Sequence, residues 1–235
     1  MTTPKNLSEF IELIEKHDRL HRIQVEVDPY LEIAEIHRRV VSENGPALLF
    51  ENVKGSPFKV ATNLFGSSKR VEIALGGDPS SLIQNAVHFL QSPPTLKDIW
   101  KNRSLFKRFF HLGTKKRKKA PIFEEICTPA TLSKLPILTS WPEDGGPFIT
   151  LPLVYTESIH NSKLANLGMY RIQRFDDVTT GLHFQIGKGA GFHLHEAESI
   201  NKNLPVAIFL RSPPALTLSA ICPLPENVSE LLFTS

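Results

Sequence analysis

The sequence predicts an α+β protein, with an α/β unit over residues 1–112 and an antiparallel sheet or barrel over residues 121–235, joined by a short basic linker at 113–120. Three observations carry this. Strand-like and helix-like patterns alternate through the first part, as they do in α/β layers. Prolines become dense after Ala120, at 121, 129, 136, 142, 147 and 152, with short apolar runs such as Ile149 to Tyr155 between turns, the pattern of antiparallel β structure. Between the two lies Lys115-Lys116-Arg117-Lys118-Lys119. No aromatic residue interrupts that run to stack on bases, so it reads as a solvated linker rather than a nucleic-acid patch.

Taken in order, Asn6 and Glu9 make a capping-box pattern, and Leu7, Phe10, Ile11 and Ile14 recur at helical spacing. That helix is expected to stop near His17-Asp18. Arg22 to Val27 alternates, which predicts a strand with Ile23, Val25 and Val27 on one face. Asp28-Pro29 reads as the N-cap and first position of a second helix buried through Ile33, Ile36 and Val40. Ala47 to Val53 is a buried strand, turned at Lys54-Gly55, with Lys59 to Phe65 as its partner. Helices follow around Lys69 to Leu75 and Ser80 to Gln91, and an amphipathic stretch runs from Leu96 to Leu112. In the second part, His195 to Asn203 is a short helix, Leu204 to Leu210 and Ala215 to Ile221 are strands, and Asn227 or Ser229 caps a further helix.

Composition excludes some classes. Of the 235 residues 41% are hydrophobic and 22% charged, and the net charge is +3, ordinary for a globular protein and too mild to demand a nucleic-acid partner. Cys127 and Cys222 are far apart with no CxxC, which fits a reducing compartment and neither a disulfide framework nor a zinc knuckle. With no leader pattern and no spanning apolar run, the expectation is a cytosolic protein, with peripheral membrane contact left open.

The chemistry concentrates between Asn166 and Glu198, NLGMYRIQRFDDVTTGLHFQIGKGAGFHLHEAE. Two alternating runs flank a polar turn at Asp176 to Gly181, a hairpin signal, and Gly187, Gly189 and Gly191 then let the backbone approach a ligand. An amide, a guanidinium, imidazoles and an ammonium crowd together, which suits a bound anion. Arg171 can hold a carboxylate or phosphate by two parallel hydrogen bonds, or serve as a structural ion pair. Asn166 and Glu230 are oxygen donors of the kind hard divalent ions take, yet taken alone they read better as a turn residue and a helix-terminal residue. His183, His193 and His195 invite a zinc reading, with the H-x-H pair on one strand face. Unrelated, partly exposed histidines are the better reading, because no fourth ligand is in view. Glu143-Asp144 reads as a polar turn before Gly-Gly-Pro.

Together, VDPYLEIAEI, GPALLFENVKG, NLFGSSKRV, LPILTSWPEDGGPFIT, NLGMYR and PLPENVSE resemble, in order and over nearly the whole chain, the UbiD family of decarboxylases. The members it most resembles are the bacterial 3-polyprenyl-4-hydroxybenzoate carboxy-lyases of ubiquinone biosynthesis. The resemblance implies an N-terminal α/β domain followed by a flavin-reductase-like split β-barrel, incomplete here at its C-terminal end. It implies prenylated FMN and Mn2+ as cofactors, an aromatic acid as substrate, and a flavin prenyltransferase as cofactor supplier. Arg171 matches the catalytic arginine. Met169, Tyr170, Arg171, His183, Phe184, Gln185, Lys188 and Gly189 match cofactor-lining runs. Asn166 and Glu230 match metal ligands, which reverses the reading of those two residues taken alone. Some relatives carry a metal-binding histidine where this chain has Lys188, so the resemblance supplies no third protein ligand. Where relatives tend to have a Gly-Gly-Asp-Pro type turn, this chain has Arg211-Ser212-Pro213-Pro214. The family's proton-donating carboxylate and its C-terminal oligomerisation domain have no match in 1–235. The expectation is therefore a carboxy-lyase whose C-terminal half is supplied by a second chain, or a non-catalytic remnant. Residues 1–235 alone are expected to be inactive and, with an unpaired barrel edge, prone to associate.

Overall fold

The computed structural model describes residues 3–78, 120–162, 164–184, 187 and 189–221. The expected helices at 80–91 and 96–112, the basic run, Gln185, Lys188, Cys222, Glu230 and the cap at Asn227 or Ser229 lie outside the described residues.

Helix α1 (Leu7–Lys16) begins where the capping box places it. The Glu9 N–H donates to Asn6 Oδ1 at 2.9 Å, Asn6 Nδ2 donates to Glu9 Oε1 at 3.0 Å, and the Lys5 N–H donates to Glu9 Oε2 at 2.9 Å. The box thus satisfies N–H groups on both sides of the first turn. Phe10 and Ile14, one turn apart, are fully buried and pack with Ala47, Ile73 and Ala74. Phe10 also stacks on Phe65 with ring centroids 5.7 Å apart.

Strand β1 (Leu20–Val27) runs parallel to β2 (Ala47–Val53), which pairs antiparallel with β3 (Val60–Thr62). Parallel neighbours need a crossover, and α2 (Glu32–Ser42) supplies it. Two expectations fail in this unit. Between Ile23–Phe50 and Glu26–Asn52, two residues of β1, Gln24 and Val25, oppose one of β2, Glu51. This bulge breaks the alternation, and Val25 is turned to solvent at 71% exposure while Val27 is buried. Helix α2 also begins at Glu32 rather than beside Asp28-Pro29. The Asp28 carboxylate accepts from the Tyr30 N–H at 2.8 Å, and the Leu31 N–H donates to the Thr139 carbonyl at 2.9 Å. The Leu31 N–H and the Pro29 carbonyl are therefore spent on Thr139 of the second part before the chain coils, and Leu31 takes a left-handed φ of 65° at the junction. Ile33 is fully buried, and Ile36 and Val40 pack beside it on Val27, Leu48, Phe50 and Val53. Helix α3 (Ser68–Leu75), capped by Ser67, closes the other core with Ile73 and Ala74.

Among the described residues the second part holds two three-stranded antiparallel sheets. One has the order β4 (Phe148–Ile149), β7 (Ile172–Arg174), β8 (Thr180–Leu182). The other has the order β6 (Ala165–Met169), β5 (Leu153–Glu157), β9 (Val206–Phe209). Helix α4 (Gly189–Ser199) packs on β5 and β6. It starts six residues before the expected His195 and ends at Ser199. Ala215 to Ile221, expected as a strand, is instead helix α5 (Pro214–Ser219), with Pro214 at its first position. The Pro-Pro pair is a helix start here, since proline's fixed φ suits N1 and its missing N–H costs nothing there.

The two parts are knit together. Leu138 joins the core around Phe50, and Leu218 joins the core around Phe10. The Ser56 hydroxyl donates to the Lys134 carbonyl at 2.6 Å. No helix among the described residues is long and apolar enough to cross a membrane.

Asn6→Ala is expected to lower unfolding free energy by about 1 kcal/mol, the usual worth of an N-cap side chain. Urea denaturation of the two proteins checks it, and an unchanged midpoint would show that the box carries no stability.

Candidate active site

The site forms where the chain leaves one sheet and enters the other. Strand β6 ends at Met169 and β7 begins at Ile172, so Tyr170 and Arg171 occupy the crossover rather than a strand. The expected hairpin is β7–β8, with Ile172 opposite Leu182 and Arg174 opposite Thr180. Its polar turn is closed by the Asp176 carboxylate, which accepts from the Val178 N–H at 2.8 Å and the Thr179 N–H at 2.6 Å. Those bonds hold the carboxyl below the usual carboxylate range.

Arg171 lines a cleft of about 290 Å³ with Phe148, Gln173, Gly181, Leu182 and His183. Its guanidinium lies 4.2 Å from the centroid of the Phe148 ring, a cation–π contact. Nη1 donates to Asp144 Oδ1 at 3.5 Å, a long contact, and the Arg171 side chain is 64% exposed. The pair therefore adds little to stability, and the fork still faces the cleft. Glu143-Asp144 lies in a turn, as expected, but Asp144 is mostly buried and aimed at Arg171, a pairing that spacing did not show. Gln173 ties this turn in place by donating from Nε2 to the Gly145 carbonyl.

Tyr170 and Phe184 meet edge to face, centroids 5.3 Å apart at 87°. This contact brings the end of β6 to the segment after β8. Thus Met169, Tyr170, Arg171, His183 and Phe184, separated in sequence, share one end of the two sheets.

Asn166 is the second focus. It sits inside β6, not in a turn, opposite Thr156 of β5. Its Nδ2 is buried with no hydrogen-bond partner. Gly189, at the start of α4, approaches so closely that an added Cβ would lie 2.2 Å from Asn166 Oδ1. A buried donor without an acceptor is costly. Beside it lie the first N–H groups of an eleven-residue helix, which favour an anion. The arrangement fits a phosphate group. Gly187 before it has φ 82°, a left-handed turn that glycine takes without strain.

The zinc reading of the histidines fails. His193 and His195 lie on α4 two positions apart, so they point to different faces: His193 is buried and His195 is exposed. Among the described residues no group of three or more His, Cys, Asp or Glu comes together. His193 Nδ1 lies 2.9 Å from the buried Thr156 hydroxyl. Burial pushes its pKa below the ordinary value, against a partial upward pull from Glu196 and Glu157. On the opposite face of β5, the Tyr155 hydroxyl donates to Glu157 at 2.7 Å and is pushed up to about 12, by burial first and the carboxylate second.

Comparison with known proteins identifies the family and fold. Residues 114–235 match the 3-octaprenyl-4-hydroxybenzoate carboxy-lyase Rift-related domain, and residues 11–90 match the N-terminal domain of the same enzymes. The chain is 53% identical over 229 residues to a Chlamydia pneumoniae protein named as one of the subunits of 4-hydroxybenzoate decarboxylase, covering 97% of this chain and 39% of that one. Vanillic acid decarboxylase of Sedimentibacter hydroxybenzoicus in its closed form superposes with a TM-score of 0.80 at 30% identity, over 99% of this chain and 48% of that chain. The UbiD-class enzyme HmfF of Pelotomaculum thermopropionicum, solved in complex with prenylated FMN, superposes with a TM-score of 0.81 at 24% identity, over 98% and 50%. The chain thus spans about half or less of the relatives it matches.

The buried His193 generates a pH prediction. Its proton affinity is depressed in the folded state, so below the ordinary value of 6.5 the unfolded chain binds the extra proton. Stability is then full above that pH and falls as the pH drops beneath it. His193→Asn is expected to flatten the fall in unfolding free energy below pH 6.5, checked by urea denaturation at several pH values. Parallel profiles for the two proteins would remove His193 as the source.

Proposed function

Because the chain belongs to the UbiD family of decarboxylases, we propose that it carries the flavin-binding part of a non-oxidative aromatic-acid carboxy-lyase. The observation that carries this reading is that strand β6 leads from the orphaned Asn166 amide, beside the first turn of α4, to Arg171 and its cleft five residues on. We read those sheets as the halves of a flavin-reductase-like split barrel.

Prenylated FMN, when bound, supplies the electron sink that loss of carbon dioxide from an sp2 carbon requires. The protein's own residues do the rest. Asn166 Nδ2 and the α4 N-terminus would hold the cofactor phosphate, and Lys188 and Gly189 would contribute to the same binding. Met169, Tyr170, His183, Phe184 and Gln185 would line the flavin. Arg171 would bind the substrate carboxylate through its planar fork, in contact with Phe148, with Asp144 limiting its swing. The cleft wall offers Phe148 and Leu182 to an aromatic ring and Gln173 and His183 to its polar substituents. A site that mixes apolar walls with a guanidinium, an amide and an imidazole suits a hydroxylated benzoate. A 3-polyprenyl-4-hydroxybenzoate of quinone biosynthesis is the member of that class that the family description favours. Mn2+ held by Asn166 and Glu230 would be a hard ion on oxygen donors, and no catalytic step is assigned to it.

A second chain is part of the proposal. The Chlamydia pneumoniae relative bears the name of one subunit among several, and the vanillic acid decarboxylase has been solved with one of its named components truncated. Both support an enzyme assembled from more than one polypeptide. In it, this chain would supply Arg171 and the flavin site.

The test is co-expression with a flavin prenyltransferase, followed by the visible spectrum of the purified protein. Bound flavin is expected, and a colourless protein would sink the reading. Gly189→Ala favours helix formation yet places a methyl against Asn166. The overpacking costs about 1–3 kcal/mol, so flavin occupancy is expected to fall. Arg171→Lys keeps the charge and loses the fork. In the assembled enzyme it is expected to lower decarboxylation about 100-fold at unchanged flavin content, followed by chromatography of substrate and product. Activity within a few-fold of the parent would remove Arg171 from that role.

A further inference from the structure

Helix α4 faces its sheet with little apolar surface. Its buried residues are Ala190, His193 and Ala197, and two alanines bury too little area to define how far along its axis the helix sits. Polar contacts do so instead. His193 Nδ1 lies 2.9 Å from Thr156 Oγ1, and one turn on, the Ser158 hydroxyl donates to Glu196 Oε2 at 2.7 Å. His193 and Glu196 are three apart on a helix, and Thr156 in β5 is two residues before Ser158, the first residue past the strand's end. Each pair therefore shares a face, and the two contacts form a ladder between helix and sheet. Thr156 and Ser158 are themselves 0% and 5% exposed. A slip of the helix by one residue would break both rungs and strand buried polar groups.

The upper rung ends beside the candidate site. Thr156 stands directly opposite Asn166 in the β5–β6 ladder, so the two side chains lie on the same face of the sheet. His193 is four residues, about one turn, beyond Gly189, whose backbone abuts the Asn166 amide. Register of the helix and position of its first turn are therefore set by the same hydrogen bond.

We infer that His193 is a positioning residue, whose hydrogen bond to Thr156 sets the axial register of α4 and so places the N–H groups of the helix's first turn beside the Asn166 amide. The inference rests on the reading of that end of the helix as the flavin phosphate site. Its effect on ligand binding belongs with supporting contacts around a site, which are typically worth about 10- to 100-fold in affinity.

Two measurements on the full chain test it, with FMN as the probe. Amide hydrogen exchange of residues 189–192 reports register without any ligand, and quenching of FMN fluorescence reports binding. His193→Leu is expected to speed exchange of that first turn while exchange in β2 stays as it was, and to raise the FMN dissociation constant about 10- to 100-fold. His193→Asn places an amide nitrogen where Nδ1 was and is expected to restore both. Thr156→Val removes the bond from the other side and reproduces the His193→Leu result, which keeps the test open if one variant fails to fold. Unchanged exchange at 189–192 in His193→Leu and Thr156→Val would overturn the inference. Equal damage from Leu and Asn would also overturn it, by showing that ring shape matters and not the bond. If the parent chain fails to bind FMN, the flavin reading falls, while the exchange arm still decides whether His193 sets the register.

Discussion

The structure depends on one constraint, the passage of the chain from one antiparallel sheet to another across Tyr170 and Arg171. Two residues are too few for a loop, so β6 and β7 must end and begin almost at the same point in space. Everything placed at that point is then held by two sheets at once. The Arg171 guanidinium lies there on Phe148 of one sheet, while the Asn166 amide lies five residues earlier in the strand of the other, under the first turn of α4. Groups of that kind on rigid strands are positioned far better than groups on a free loop.

Energetically the two halves of the molecule are built differently. The N-terminal unit is held by apolar packing, with Phe10, Ile14, Ile33, Phe50 and Ile73 nearly or wholly removed from water. Burial of each such side chain contributes on the order of 1.5–3 kcal/mol. Among the described residues the second part buries fewer apolar side chains and is tied by directed polar contacts, among them His193 with Thr156, Glu196 with Ser158, and Gln173 with Gly145. Polar contacts specify geometry more sharply than they add stability. A unit that must hold a charged ligand in one orientation is served by that division. The α/β unit is the base against which it docks, through Leu138, Leu218 and the pairing of residues 29–31 with Thr139.

The errors in the reading of single elements have a common origin. Val25 alternates correctly with its neighbours, yet a bulge one residue long exposes it. Asp28-Pro29 has the residues of a helix start, but its backbone is captured by Thr139, more than a hundred positions away. Ala215 to Ile221 is apolar enough for a strand, and the tie is broken by the proline at its head and by the core that Leu218 joins. The local preferences overturned are worth about 1 kcal/mol or less each, small enough for a bulge, a captured backbone or a helix-starting proline to outweigh them.

What the residues determined by themselves were the local signals: the Asn6–Glu9 cap, the buried strand Ala47 to Val53, the hairpin across Asp176, and the family motifs around Asn166 and Arg171. These depend on neighbours within a few positions, where side-chain chemistry and backbone geometry are directly coupled. Only the tertiary structure decided that Asp144 turns toward Arg171, that Asn166 lies in a strand with its Nδ2 unanswered, and that His193 is a buried partner of Thr156 rather than a metal ligand beside His195. Those facts depend on the sheet to which each strand belongs and on where a helix rests on it. Hydrogen bonds between residues 27 to 37 positions apart settle that placement, and no local pattern encodes them.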